Sequence, residues 1–290
     1  MSERRLSVLP HHEPMVDREL GDADSVHMMV ASSSLSPTAL PVSRWWRRSV
    51  LASVALLGAT AVPAVAVTPT TPPSTPPTSV VAAAPAAALT IPSITVVAAA
   101  KFASTNVYDR IGAKPIAALN NKTNFSGRHV FVVLEQQGDW FKVELPMRPN
   151  GRIGFVRTAD VTLYQHDYSM VVSLSAHTLT LYKSGAEVMR ETVAVGSAKY
   201  PTPTGSFFLR ELARPRNPKG AYGPWAFGLS AYSNVLQTFG RGDGQIGIHG
   251  TNEPTKLGQS VSHGCIRMSN QAITKLAQTL PQGVPLQIVA

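Results

Sequence analysis

From Phe102 onward, apolar residues recur in short runs separated by Gly, Asn, Asp and Pro, which is the pattern of successive short strands. Val107-Tyr108, Val130 to Leu134, Trp140 to Leu145 and Gly154 to Val156 are such runs. Turn signals stand between them at Gln137-Gly138-Asp139 and Pro149-Asn150-Gly151. They predict a small all-β domain over residues 102–165. The pattern resumes from Tyr168 to Ala290. Met170 to Leu174 and Thr178 to Tyr182 read as paired strands across a short turn. Glu187 to Val195, Ser206 to Leu209, Trp225 to Leu229, Gln245 to His249 and Val284 to Val289 supply the rest. Arg210 to Gly220 reads as a basic surface loop. Helical spacing shows in Ile273, Leu276, Ala277 and Leu280, which fall on one face behind Asn270 as a cap and before Gly283 as a stop. The expected fold class is mainly β: two β domains in series, with a short helix near the end.

The first hundred residues read differently. Residues 1–48 have no repeating apolar pattern and predict a disordered tail. Residues 49–67 carry no charge and approach the ~20 apolar residues a membrane-spanning helix needs. Arg44, Arg47 and Arg48 precede them, which predicts a transmembrane signal-anchor with its N-terminus in the cytoplasm. A cleaved signal peptide is the rival reading, because Ala64-Val65-Ala66 resembles a small-residue cleavage site; a start at Met28 or Met29 would give such a peptide an ordinary length. Residues 68–101, rich in Pro, Thr and Ala, predict an extended linker.

Charge adds one point. The net charge is +9, and the six basic and six acidic side chains of residues 1–48 cancel, so the excess lies downstream. A basic exported region suits an anionic surface such as a cell wall. No stacking motif or recognition-helix signature supports nucleic acid as a partner, and no glycine-rich phosphate loop follows a strand, so no nucleotide cofactor is expected.

The candidate chemistry centres on Cys265, the chain's one cysteine. A lone cysteine in an exported chain is an intermolecular bridge or a reactive thiol. An imidazole activates a thiol by taking its proton. His263 and His249 both qualify: if residues 263–265 are extended, His263 and Cys265 share a face, and His249 ends a predicted strand. Three readings compete at this point: an inert buried cysteine, a zinc site using His249, His263 and Cys265 with Asp243 or Glu253, and a cysteine nucleophile with a histidine base. Glycines, a serine and an arginine crowd the site, unlike an apolar core. No metal-type ligand spacing supports zinc, so no metal is expected.

His249-Gly250-Thr251 and Ser262-His263-Gly264-Cys265-Ile266-Arg267-Met268 together resemble the signature of the L,D-transpeptidases with a YkuD-type catalytic domain. Thr202-Pro203-Thr204-Gly205 followed by Phe207 is similar to that family too. The resemblance spans residues 168–290. It implies Cys-dependent acyl transfer on peptidoglycan stem peptides, in cell-wall biogenesis and the maintenance of cell shape. It also implies Cys265 as nucleophile, His249 as proton donor and acceptor, and the Gly250 carbonyl as its orienter. Ser262, His263 and Gly264 would shape the nucleophile loop and its oxyanion donors, and Arg267 would meet a substrate carboxylate. One departure is Asn270-Gln271-Ala272, where family members often carry an acidic residue. The Gly-Asp-Trp-Phe-Lys-Val and Gly-Phe-Val segments of residues 102–165 resemble bacterial SH3-like modules, small β-barrels that often bind wall peptides; Tyr108 and Trp140 face a ligand or the barrel core. The partners implied are stem peptides and, through the N-terminal helix, a bacterial membrane, at the extracytoplasmic face of the envelope. The acceptor stays open: a second stem, a protein, or water, which would make a carboxypeptidase. A wall-binding protein without turnover is the alternative from another class.

Overall fold

The apolar alternation resolves into two sheets in the computed structural model, which describes residues 93–120, 128–239 and 242–290. The predicted tail, the transmembrane segment 49–67 and most of the linker lie outside the described residues. Among the described residues no helix is long and apolar enough to cross a membrane.

The first half contains β1 (Thr95–Ala100), β2 (Ser104–Val107), β3 (Ala117–Asn120), β4 (Val130–Gln137), β5 (Trp140–Glu144), β6 (Ile153–Arg157) and β7 (Val161–His166). Five of these form a sheet in the order β6-β5-β4-β1-β7, and β2 pairs with β3. β1 corrects the expected linker boundary. Thr-Val-Val-Ala-Ala-Ala is an interior strand between β4 and β7, with Val97, Ala98 and Ala100 fully buried. The linker therefore ends before Thr95. Val107, Phe131, Phe141, Val143 and Val156 fill the core of this half. Tyr108 is buried and meets half-buried Trp140 edge-on at 4.8 Å, under the Arg157 guanidinium.

The second half contains β8 (Tyr168–Ser173), β9 (Thr178–Lys183), β10 (Ala186–Thr192), β11 (Val195–Gly196), β12 (Gly205–Ala213), β13 (Ala226–Tyr232), β14 (Gln245–His249), β15 (Ser260–Ser262), β16 (Ile266–Arg267), α1 (Asn270–Thr279) and β17 (Pro285–Val289). Eight of the strands form a mixed sheet, β10-β9-β8-β17-β12-β13-β14-β16, and β11 pairs with β15. α1 buries Ala272, Ile273, Leu276 and Ala277 against it, in one cluster with Leu229, Ile246, Ile248 and Ile266. The cap of α1 is Ser269, not Asn270: Ser269 Oγ accepts the Ala272 N–H at 3.1 Å, an interaction typically worth ~1 kcal/mol. β12 runs four residues past the expected strand end at Leu209. The register with β13 shifts between Leu209 and Glu211, while the burial alternation continues, so Glu211 and Ala213 are buried like Leu209.

The two sheets share a small core. Phe208 of β12 is fully buried among Val97, Val130 and Val132 of the first sheet. Polar bonds add to it: Tyr164 Oη donates to the Gln282 carbonyl at 2.9 Å, and Tyr232 Oη donates to that of Pro146 at 3.0 Å.

Candidate active site

The loop that carries Cys265 is held from inside and outside. Ser262 Oγ accepts the N–H of Gly264 at 3.1 Å and donates to the carbonyl of Cys265 at 2.6 Å, which closes a tight bend. Gly264 takes φ +114° there, and a Cβ on it would stand 2.9 Å from Ile246 Cδ1, so only glycine fits without strain. From outside, Thr202 Oγ1 donates to the Gly264 carbonyl at 2.8 Å and accepts the Gly196 N–H at 2.8 Å. Thr202 comes from the Thr-Pro-Thr-Gly stretch. Its role depends on contacts 62 residues away, which local sequence does not reveal.

This bend replaces the extended run expected for residues 263–265, so His263 and Cys265 do not follow strand alternation. The His263 ring packs between Tyr200, at 4.9 Å, and Phe239, at 5.3 Å.

His249 ends β14, and β14 pairs in parallel with β16, Ile248 opposite Ile266 and His249 opposite Arg267. Cys265 immediately precedes β16 and takes a hydrogen bond from the Gly247 backbone. His249 and Cys265 are thus diagonal neighbours across two adjacent strands, about 8 Å apart at the backbone from ordinary strand spacing and rise. Nδ1 of His249 lies 2.6 Å from the Gly250 carbonyl. A carbonyl only accepts, so Nδ1 carries the proton and Nε2 is the basic atom. Gly250 cannot carry a side chain: a Cβ would stand 2.2 Å from Asn270 Oδ1, which accepts the Thr251 N–H at 2.9 Å. Asn270 therefore braces the turn after the histidine. The Tyr222 ring packs against that of His249, tilted by 54° with centroids 4.7 Å apart.

The electrostatics favour a neutral pair. Burial pushes the His249 imidazole down to about 4, with the Arg267 charge adding to the effect against the Gly250 bond. Burial likewise pushes the Cys265 thiol up, against the Gly247 hydrogen bond and the Arg267 charge. Both shifts run toward the neutral forms, a thiol at Cys265 and an imidazole at His249. Arg267 donates from Nη1 to Glu253 at 3.0 Å, and Glu253 also pairs with Lys256. Among the described residues, no three His, Cys, Asp or Glu side chains converge as metal ligands.

The first sheet reaches the site through Arg148. Its guanidinium donates to the carbonyls of Ser233 at 2.7 Å, Leu236 at 3.1 Å and Asp243 at 2.9 Å, and it lies over the Tyr232 ring. Asn150 and Tyr232 exchange two further bonds, at 2.7 and 2.9 Å. The segment held in this way carries Phe239, one of the rings against His263. Arg148→Ala leaves three carbonyls without their donor, and a loss of ~1–3 kcal/mol in stability is expected, read by urea unfolding. A lysine is a point charge that cannot span three carbonyls, so Arg148→Lys should restore only part of it. Full stability in the alanine variant would show that the segment holds itself.

A family model described as the L,D-transpeptidase catalytic domain, YkuD, matches residues 167–288. The chain is 37% identical over 125 residues to the putative L,D-transpeptidase YkuD of Bacillus subtilis strain 168, covering 43% of this chain and 68% of that protein. It is 36% identical over 121 residues to the protein of the same name from Bacillus licheniformis, covering 42% of this chain and 65% of the relative. Among solved structures, it is similar to an L,D-transpeptidase from Mycobacterium tuberculosis H37Rv at 20% identity and a TM-score of 0.35, over 48% of this chain and 65% of that one. The chain thus spans about two thirds of the length of each of these relatives.

Proposed function

Because the chain belongs to the YkuD family of L,D-transpeptidases, we propose that it transfers an acyl group from a peptidoglycan stem tetrapeptide to an acceptor amine, with Cys265 as nucleophile. The observation that carries this reading is the His249 Nδ1 bond to Gly250, which leaves Nε2 basic on the strand next to the thiol. As Sγ attacks the carbonyl between the third residue and the terminal D-alanine, Nε2 takes the thiol proton. The tetrahedral oxyanion needs backbone donors. The N–H of Gly264 is already given to Ser262, so the N–H of Cys265 is the better assignment. The C–N bond breaks, Nε2 returns the proton to the leaving amine, and a thioester remains. The acceptor amine attacks the thioester, its proton passes to Nε2, and the departing sulfur regains a proton from it. A second stem as acceptor yields a 3→3 cross-link. A neutral resting pair suits this order, because the proton moves only as the C–S bond forms.

In the same reading, the sheet of residues 95–166 is an SH3-like module that holds wall peptide near the site, and residues 49–67 direct the chain to the envelope where its substrate lies. Incubation with purified disaccharide tetrapeptides, followed by mass analysis, tests the reaction. The expected product is a dimer lacking one D-alanine. A tripeptide product without dimer would assign water as acceptor, and unchanged substrate would end the proposal.

A further inference from the structure

One peptide unit is held at both of its polar ends. The carbonyl of the Gly250–Thr251 peptide accepts the hydrogen bond of His249 Nδ1 at 2.6 Å. Its N–H donates to Asn270 Oδ1 at 2.9 Å. A peptide is planar, so a partner that holds the N–H also sets the direction of the carbonyl. Asn270 therefore governs, through one rigid plane, where the acceptor for Nδ1 points. It reaches that plane from the Cys265 side of the site. β16 leads from the cysteine to Met268, whose N–H is given to the His249 carbonyl at 2.9 Å, and Asn270 opens α1 two residues later.

The same oxygen meets a third segment. Gly223 takes φ +64°, and a Cβ on it would collide with Asn270 Oδ1 and stand 2.7 Å from Gly250 Cα. A Cβ on Gly250 would collide with that oxygen too, and stand 3.0 Å from Gly223 Cα. Two glycines from different loops thus leave a notch that one amide oxygen fills. Gly223 directly follows Tyr222, whose ring packs against the imidazole. Asn270 therefore bears on both neighbours of the His249 ring, the carbonyl at Nδ1 and the phenol against its face. Helix capping does not account for this side chain. Ser269 Oγ caps α1, and it is the backbone carbonyl of Asn270 that accepts Thr274 Oγ1 at 2.7 Å.

We propose that Asn270 is a positioning residue for the base. Its side-chain oxygen holds the Gly250–Thr251 peptide and the Tyr222 turn so that His249 keeps its proton on Nδ1 and offers Nε2 to the thiol. Without that oxygen the peptide is free to rotate, the carbonyl leaves Nδ1, and the proton distributes over both ring nitrogens. The inference deepens the acyl-transfer reading above and rests on it for rates alone. The protonation of the two ring nitrogens is read without any turnover.

The test uses the full chain, carrying isotopically labelled histidine, and two substitutions. Asn270→Ala removes the acceptor, and Asn270→Asp keeps an oxygen in its place. At pH 8 a neutral imidazole gives well-separated nitrogen NMR signals for its protonated and bare nitrogens, and His249→Gln identifies the pair that belongs to His249. Nδ1 should carry the proton in the unaltered chain and in the aspartate variant. In Asn270→Ala the two signals should converge. With a tetrapeptide as substrate, the alanine variant should lose about 10- to 100-fold in kcat for D-alanine release, the scale of a displaced catalytic group. KM should stay within about twofold, because a base acts in the transition state and not in substrate binding. Asn270→Asp should recover most of the loss. Urea midpoints check the fold of each variant. A His249 spectrum that Asn270→Ala leaves unchanged overturns the proposal whatever the rates. An aspartate variant whose Nδ1 has lost its proton overturns it too, and that result does not depend on how the alanine variant folds. A loss carried by KM alone counts against it in the same way. If no chain releases D-alanine, the reaction reading fails, while the spectra still decide the role of Asn270.

Discussion

Cys265→Ala is expected to abolish the covalent acyl adduct and to lower turnover by roughly 10⁴-fold or more, the scale of losing a catalytic nucleophile. The chain has no second cysteine to substitute. The fold should survive, because the loop is held by Ser262 and Thr202, not by the sulfur; losing the Gly247 hydrogen bond should cost about 1 kcal/mol. Intact-protein mass after incubation with a tetrapeptide reads the adduct, and an adduct forming on the alanine variant at the original rate would remove Cys265 from the chemistry. A second readout addresses the protonation state. Burial holds the thiol above its ordinary value of 9.0, so iodoacetamide should alkylate Cys265 slowly at pH 7 and faster as pH climbs past 9. Acylation by the peptide should not follow that rise, because His249 takes the proton as the bond forms. Fast alkylation at pH 6 would instead mean a standing thiolate–imidazolium pair.

Cys265 and His249, the proposed nucleophile and base, stood out in the sequence because each sits in a short local signature. His249 closes an alternating apolar run, and the glycines beside it and Cys265 mark bends and close approach. The helix was legible from four apolar residues on one face, but Ser269 and Asn270 are both good caps, and only the Asn270 bond to Thr251 shows why the serine is free to cap. β1 was not legible: its alanines continue the composition of the linker, and it becomes a strand through pairing with β4 and β7 on both sides. The end of β12 was hidden because a glutamate, Glu211, stands at a buried position where the alternation calls for an apolar residue. Thr202, Arg148 and Tyr222 act through partners far along the chain, so no local pattern marks them. The direction in which burial moves the thiol and the imidazole is likewise not encoded in the motif.

His249→Gln is expected to lower acylation of Cys265 by on the order of 10²–10⁴-fold, the range for removing a general base. Glutamine keeps much of the volume against Tyr222 but has no basic nitrogen for the thiol proton. The unaltered chain should show a matching pH profile. His249 must be unprotonated to act, and it gains its proton near pH 4, so kcat/KM should hold level from pH 8 down to about 5 and fall as pH drops through about 4. Stability moves in the same direction for a separate reason. The folded-state value lies below the ordinary 6.5, so between 6.5 and 4 the unfolded chain binds more protons. The stabilisation from His249 is complete above 6.5 and is lost as pH falls toward 4, by roughly 3 kcal/mol for a shift of this size. The two effects separate in the variant. His249→Gln should lose activity at every pH, yet unfold less readily than the unaltered chain as pH falls from 6.5 to 4, when each is compared with its own stability at pH 7. Acylation rates and urea midpoints across that window decide the matter. An acid limb that stays near pH 6.5 would mean an imidazole open to water, and the buried neutral base would have to be given up.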